Sequence, residues 1–113
     1  MRLVIRGQRI KLAEEDRSAI DRRLQFALAR FTSRLTQVTV HLDEQRGARG
    51  ESDKRCRIVV RFVPAGELVV EDTDVSLSGA VERAVDRIER AVRREIDRRR
   101  GQWPTAHVPR ARP

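Results

Sequence analysis

Seven apolar residues between positions 77 and 96 constrain this chain more than anything else in it. Leu77, Val81, Ala84, Val85, Ile88, Val92 and Ile96 recur at helical spacing over about five turns, as one continuous stripe. A stripe that long is stable only when buried along its whole run, so it demands a partner surface of similar extent. Ser76 is placed to cap the helix, and Gly101 marks its expected stop.

Alternating segments supply that partner. Leu3 and Ile5 alternate with Arg2, Val4 and Arg6 in a short strand closed by Gly7. From Glu14 to Leu35 the period changes: Ile20, Leu24, Ala27, Leu28, Phe31 and Leu35 share one helical face, with Glu14, Glu15 and Asp16 in the favourable first turn. This predicts a long amphipathic helix. Val38, Val40 and Leu42 alternate with Thr39, His41 and Asp43 in a second strand, followed by a polar loop from Gln45 to Asp53. Cys56, Ile58, Val60 and Phe62 alternate with Arg55, Arg57, Val59 and Arg61 in a third strand. Pro64-Ala65-Gly66 then turns the chain into a fourth, Glu67 to Glu71.

The order β-α-β-β-β-α needs a crossover between strands one and two, which makes them parallel, right-handedly joined neighbours. The other strands add as an antiparallel meander. Both helices carry a single apolar stripe, so both should cover one face of a four-stranded sheet, giving an α+β two-layer sandwich. Residues 1–101 form this one domain, and residues 102–113, with three prolines and no periodicity, read as a flexible tail.

Composition narrows the function. The chain of 113 residues carries 25 Lys and Arg against 17 Asp and Glu, a formal charge of +8. That balance favours a polyanionic partner, nucleic acid or an anionic membrane surface. All basic residues but Lys11 and Lys54 are arginine. Arginine suits bidentate phosphate contact, although a GC-rich genome produces the same bias. Phe26, Phe31, Phe62 and Trp103 are the whole aromatic complement, which argues against a base-stacking single-strand binder. One cysteine, Cys56, forms no intrachain disulfide and fits a reducing cytoplasm. With no signal-peptide core and no membrane-length apolar run, a soluble cytoplasmic protein is expected.

Catalysis has little to stand on. His41 lies on the polar face of a strand and His107 in the tail, both read as solvated or locally bonded imidazoles. There is no nucleophile elbow, P-loop, dinucleotide fingerprint or HExxH. Cys56 is in phase with Ile58 and Val60 and reads as an inert buried thiol. Glu67, Glu71, Asp72 and Asp74 read as a solvated edge. No enzyme, cofactor, metal site or small-molecule substrate is expected.

The arginines of the last helix are the informative feature. Helical winding places Arg83, Arg87, Arg90, Arg94 and Arg98 within an arc of about 80° around the axis. The middle of that arc lies roughly 130° from the centre of the apolar stripe. Five arginines thus form one ridge away from the core, extended by Arg93 and Arg100. One reading is a solvated face laced with i,i+4 ion pairs to Glu82, Asp86, Glu89 and Asp97. Against it, residues 75–113 hold ten basic and five acidic side chains, a local excess suited to a phosphate backbone. On that second reading, Arg87, Arg90 and Arg94 can be reversed together with little cost to the fold. The first helix adds a weaker patch: Arg23, Arg30 and Arg34 on one flank, Arg22 further round. Phe26 falls off the apolar stripe and reads as a marginal core residue in preference to an exposed aromatic that stacks on a base.

At this point the chain resembles the ribosome hibernation-promoting factor and ribosome-associated inhibitor family, also called sigma-54 modulation proteins. The resemblance covers roughly residues 1–100. It rests on MRLVIRG followed by KLAEE, on LTQVTVHLDE after the first helix, and on the basic terminal segment AVDRIERAVRRE, where family members carry Lys or Arg at the positions of Arg87, Arg90 and Arg94. The chain departs from the family where the last helix opens: Ser76 to Glu82 lacks the usual tyrosine. It also carries Phe26 where many relatives have Lys, and its tail is basic. The resemblance implies a non-enzymatic stress factor that binds the small (30S) ribosomal subunit in the channel used by mRNA and tRNA. It also implies contact with rRNA through both helices, and an idle ribosome. The residues alone lead to a basic α+β domain with an RNA-facing helix. They leave open a general double-stranded RNA binder or a protein-interaction module whose charges keep it soluble.

Overall fold

The computed structural model describes residues 1–46 and 52–100. Strand β1 (Arg2–Gln8) leads into helix α1 (Glu14–Ala27) and a short 3-10 helix (Ala29–Arg34). Strands β2 (Leu35–Arg46), β3 (Ser52–Phe62) and β4 (Glu67–Asp74) follow, then the terminal helix α2 (Leu77–Arg99). One sheet holds the strands in the order β1-β2-β3-β4, with β1 and β2 parallel and the other pairings antiparallel. The alternation expected from sequence fixes the layers. Val38, Val40 and Leu42 of β2, Cys56, Ile58, Val60 and Phe62 of β3, and Val70 of β4 share one parity and are buried. They form one core with Ile20 and Leu24 of α1 and the stripe Ala80 to Ile96 of α2. Both helices therefore lie on one sheet face, as the paired stripes require.

The first helix departs from expectation. A single helix from Glu14 to Leu35 is not formed; α1 ends at Ala27, and a 3-10 helix carries the chain to Arg34. The tighter winding repeats every three residues, so Leu28 and Phe31 still face the core, joined by Phe31 N donating to Leu28 O at 2.9 Å. Thr32 and Ser33 weaken helix propensity at the same place. Leu35 then opens β2 beside β1 rather than closing a helix.

Three of the strands outrun their expected ends. β2 and β3 extend to Arg46 and from Ser52, because Glu44–Lys54 and Gln45–Asp53 are cross-strand pairs of opposite or neutral character. The remainder of the expected 45–53 loop lies outside the described residues, as does the 102–113 tail. β4 continues past Glu71 to Asp74 because α2 supplies arginines to its carboxylates, described below.

Side chains tie the helices to the sheet. Ser76 Oγ accepts from Gly79 N at 3.0 Å, the expected cap of α2. Arg17 of α1 donates to the Ile5 carbonyl of β1 at 3.1 Å. At the far end of α2, Arg99 lies over the Phe62 ring, 4.6 Å from its centroid, and donates to Ala65 O at 2.7 Å. Glu95 orients that guanidinium through Arg99 Nε at 2.6 Å. The hairpin it grips turns through Gly66 at φ +113°, a conformation L side chains rarely adopt.

Cys56 is fully buried on the core side of β3, and burial, aided by the nearby Asp72 carboxylate, pushes its thiol up to about 12. Thiolate is the reactive form, and here it is both scarce and inaccessible. Alkylation at pH 8 should therefore run at least about a hundredfold slower in the folded protein than in denaturant. Rapid native-state labelling would contradict the packing of β3 against α2.

Candidate nucleic-acid interface

The α2 ridge is not uniform. Its N-terminal half folds down onto edge strand β4. Arg83 donates to Thr73 O at 2.6 Å and pairs with Asp72 and Asp74 at 3.4 and 3.6 Å. Arg87 donates to Glu71 O at 2.6 Å and pairs with Asp72 at 3.3 Å. These guanidinium groups satisfy backbone carbonyls that an edge strand leaves exposed, and so cover the sheet edge. Burial alone would raise the Asp72 carboxyl. The Thr73 amide and the two arginines outweigh it and hold the group below its ordinary range. Asp72 is thus a structural counter-ion rather than part of a solvated edge. Arg87, read from sequence as freely reversible, is not: a carboxylate there would face Asp72 and the Glu71 carbonyl.

The C-terminal half differs. Arg90 and Arg94 are exposed and, among the described residues, make no ion pair or hydrogen bond. Arg98 is held by Glu95 at 2.5 Å, and Arg93 by Glu89 at 3.5 Å. Beyond that Arg93 pair, the expected lacing of the ridge by Glu82 and Glu89 is not found. Glu82 reaches Arg23 of α1 at 3.7 Å, and Glu89 also reaches Arg30 at 3.3 Å. These acids tie α2 to α1 through Arg23 and to the 3-10 helix through Arg30, while Asp97 pairs with Arg100 at 3.9 Å. Drawing Glu82 and Glu89 toward Arg23 and Arg30 leaves Arg90 and Arg94 without a carboxylate partner among the described residues.

The first-helix patch is reorganised by the break at Ala27. Arg30 and Arg34 both sit on the 3-10 helix, off the α1 face that carries Arg23; Arg30 is exposed, and Arg34 is half-buried and engaged. Arg22 is exposed and, among the described residues, makes no ion pair or hydrogen bond. Arg30 stacks 5.2 Å from the centroid of the buried Phe31 ring. Phe26 is 87% exposed and is not a core residue. It lies about 145° from the centre of the α1 stripe, too far round for any turn of the helix to bury it. It borders a groove of about 630 Å³ between the helices, lined also by Arg23, Arg30, Val85 and Asp86.

Sequence reasoning missed three working residues. Arg99 clamps the hairpin, and Asp72 anchors two ridge arginines. Asp43 lies buried on the helix-free sheet face, its Oδ2 accepting from Arg55 at 2.7 Å and Arg9 at 3.3 Å. Burial works to raise the Asp43 carboxyl, but those arginines hold it below its ordinary value. Strand alternation places Asp43 and Arg55 on one face; only the register puts them side by side. Among the described residues no cluster of His, Cys, Asp and Glu is arranged to hold a metal, and no helix is long and apolar enough to cross a membrane.

Known proteins place this arrangement. The N-terminal domain of Protein Y from Thermus thermophilus superposes with a TM-score of 0.68 at 26% identity, covering 84% of this chain and 99% of that one. A ribosomal subunit interface protein from Coxiella burnetii shares the fold, with a TM-score of 0.70 at 11% identity over 84% of this chain and 97% of that one. Comparison with curated protein sequences returned no match. The family model described as sigma 54 modulation protein / S30EA ribosomal protein matches residues 3–100, both helices and all four strands included. The chain therefore belongs to that ribosome-associated family.

Proposed function

We propose that this protein binds the small ribosomal subunit through the phosphate backbone of its rRNA and holds it idle, without catalysing a reaction. The observation that carries this reading is the pair Arg90 and Arg94: two exposed guanidinium groups one helical turn apart, unpaired among the described residues. The helix presenting them is anchored by seven buried residues. Forks fixed at helical pitch position a protein on a nucleic-acid backbone without reading sequence. Arg22 adds an exposed cation on α1. Arg23 joins readily, since it needs only to exchange the exposed Glu82 carboxylate for a phosphate, a pairing worth about 0–1 kcal/mol. Arg30, Arg93 and Arg98 join by giving up the more covered Glu89 and Glu95. Arg83, Arg87 and Arg34 play a supporting role, because protein groups already engage them.

Family membership supplies the ribosome as partner, and the Coxiella neighbour is described as a subunit interface protein. The test is cosedimentation with purified small subunits, set beside binding to a naked RNA duplex at the same salt. Selective retention by the subunit is expected. Equal binding to both would make the protein a general duplex binder, and retention by neither would overturn the reading.

A further inference from the structure

The helix-free face of the sheet carries a second basic surface. Register places Arg6 beside His41 and His41 beside Arg57, one residue from each of β1, β2 and β3 in a single cross-strand row. At a strand spacing of about 4.8 Å, the Arg6 and Arg57 backbones stand roughly 10 Å apart with the imidazole between them. The row borders a hollow of about 340 Å³, whose lining also includes Gln8, Asp43 and Arg55. Like charges so placed repel unless something of opposite sign sits between them.

Among the described residues, nothing takes that place. Asp43 is occupied by Arg9 and Arg55. Glu71, the cross-strand neighbour of Arg57, lies 3.6 Å from Arg55, and Glu67 is paired with Arg61 at 3.2 Å. Arg6 and Arg57 remain exposed and, among the described residues, without an ion pair or hydrogen bond. Every carboxylate of the row and its hollow is spoken for, and the two arginines flanking the imidazole are not. The complementary occupant is a compact anion with several acceptor oxygens, reached from both sides by guanidinium forks.

We infer that this open face is a second RNA-phosphate site, with Arg6 and Arg57 as its charged contacts and His41 and Gln8 as hydrogen-bonding neighbours. The inference rests on the proposed ribosomal role and extends it. Because α2 covers the other side of the sheet, a phosphate on Arg6 and Arg57 belongs to a different RNA segment from one on Arg90 and Arg94. The protein is then gripped between two segments, not laid against one.

The test uses the full chain bound to small subunits, with a photo-crosslinking residue at the exposed position Gln8 or at Asp97, beside Arg94 on α2. Both positions should crosslink to rRNA, at nucleotides of separate segments. R6Q/R57Q should melt as the native protein does and lose about tenfold in subunit affinity. A position-8 crosslink only to ribosomal protein, or unchanged affinity of R6Q/R57Q, overturns the second site and leaves the α2 reading standing. A position-8 crosslink to rRNA with none from position 97 upholds the open face and overturns the α2 reading. No rRNA crosslink from either position overturns both.

Discussion

Reversing Arg90 and Arg94 together, as Arg90→Glu/Arg94→Glu, should lower affinity for small subunits at least about a hundredfold, because two phosphate attractions become repulsions. The same variant should melt within about 2 °C of the native protein, since exposed positions away from caps and core change stability by roughly 0.5 kcal/mol or less. The choice of residues matters. Arg83 and Arg87 cover the edge of β4 through the carbonyls of Thr73 and Glu71, so reversing them mixes a folding defect with a binding one. Lys11→Glu/Arg46→Glu is the matched control: it makes the same change in net charge at exposed positions outside both helices. It removes only long-range attraction and should weaken binding severalfold. Equal losses in the two variants would mean that net charge, not a placed face, drives association.

Ile88→Ala should be the most damaging single truncation on α2. Ile88 is fully buried midway along the stripe, within the core that the helix shares with β3 and β4. Removing three carbons there costs the lost transfer energy plus a cavity, together about 3–4 kcal/mol. For a domain of this size that lowers the melting temperature by roughly 10–20 °C. A urea midpoint close to native would show that the α2 stripe is not the seam of the core. Arg90→Ala, one turn fragment away on the exposed side, should leave the midpoint in place, which separates the helix's inward and outward faces in one pair of measurements.

Those two faces were legible in the sequence to different degrees. Burial obeys periodicity, so the stripe from Leu77 to Ile96 and the alternation through Cys56 to Phe62 carried the layers, the element order and the single-faced packing. The break at Ala27 was hidden because a 3-10 turn buries Leu28 and Phe31 as an α-turn would, leaving the apolar pattern intact. Charges are harder to read. The angular positions of Arg83, Arg87, Arg90 and Arg94 on α2 are nearly equivalent, yet only the first two lie level with β4. Their separation depends on where Asp72 and Asp74 fall across a tertiary contact that helical geometry does not contain. Glu82 and Glu89 mislead for the same reason: spacing offers them ridge partners, while packing hands them Arg23 of α1 and Arg30 of the 3-10 helix. Phe26 was ambiguous because hydrophobicity argued for burial and angle against it, and angle won.

On the proposed reading, Arg90 and Arg94 each neutralise a phosphate of the small subunit. The salt dependence of binding measures that number directly, since each neutralised phosphate adds about 0.7–0.9 to the slope of log affinity against log salt concentration. Affinity for small subunits should fall steeply with salt for the native protein. For Arg90→Gln/Arg94→Gln the slope should be shallower by about 1.4–1.8. Weaker binding with an unchanged slope, or a native complex insensitive to salt, would contradict it.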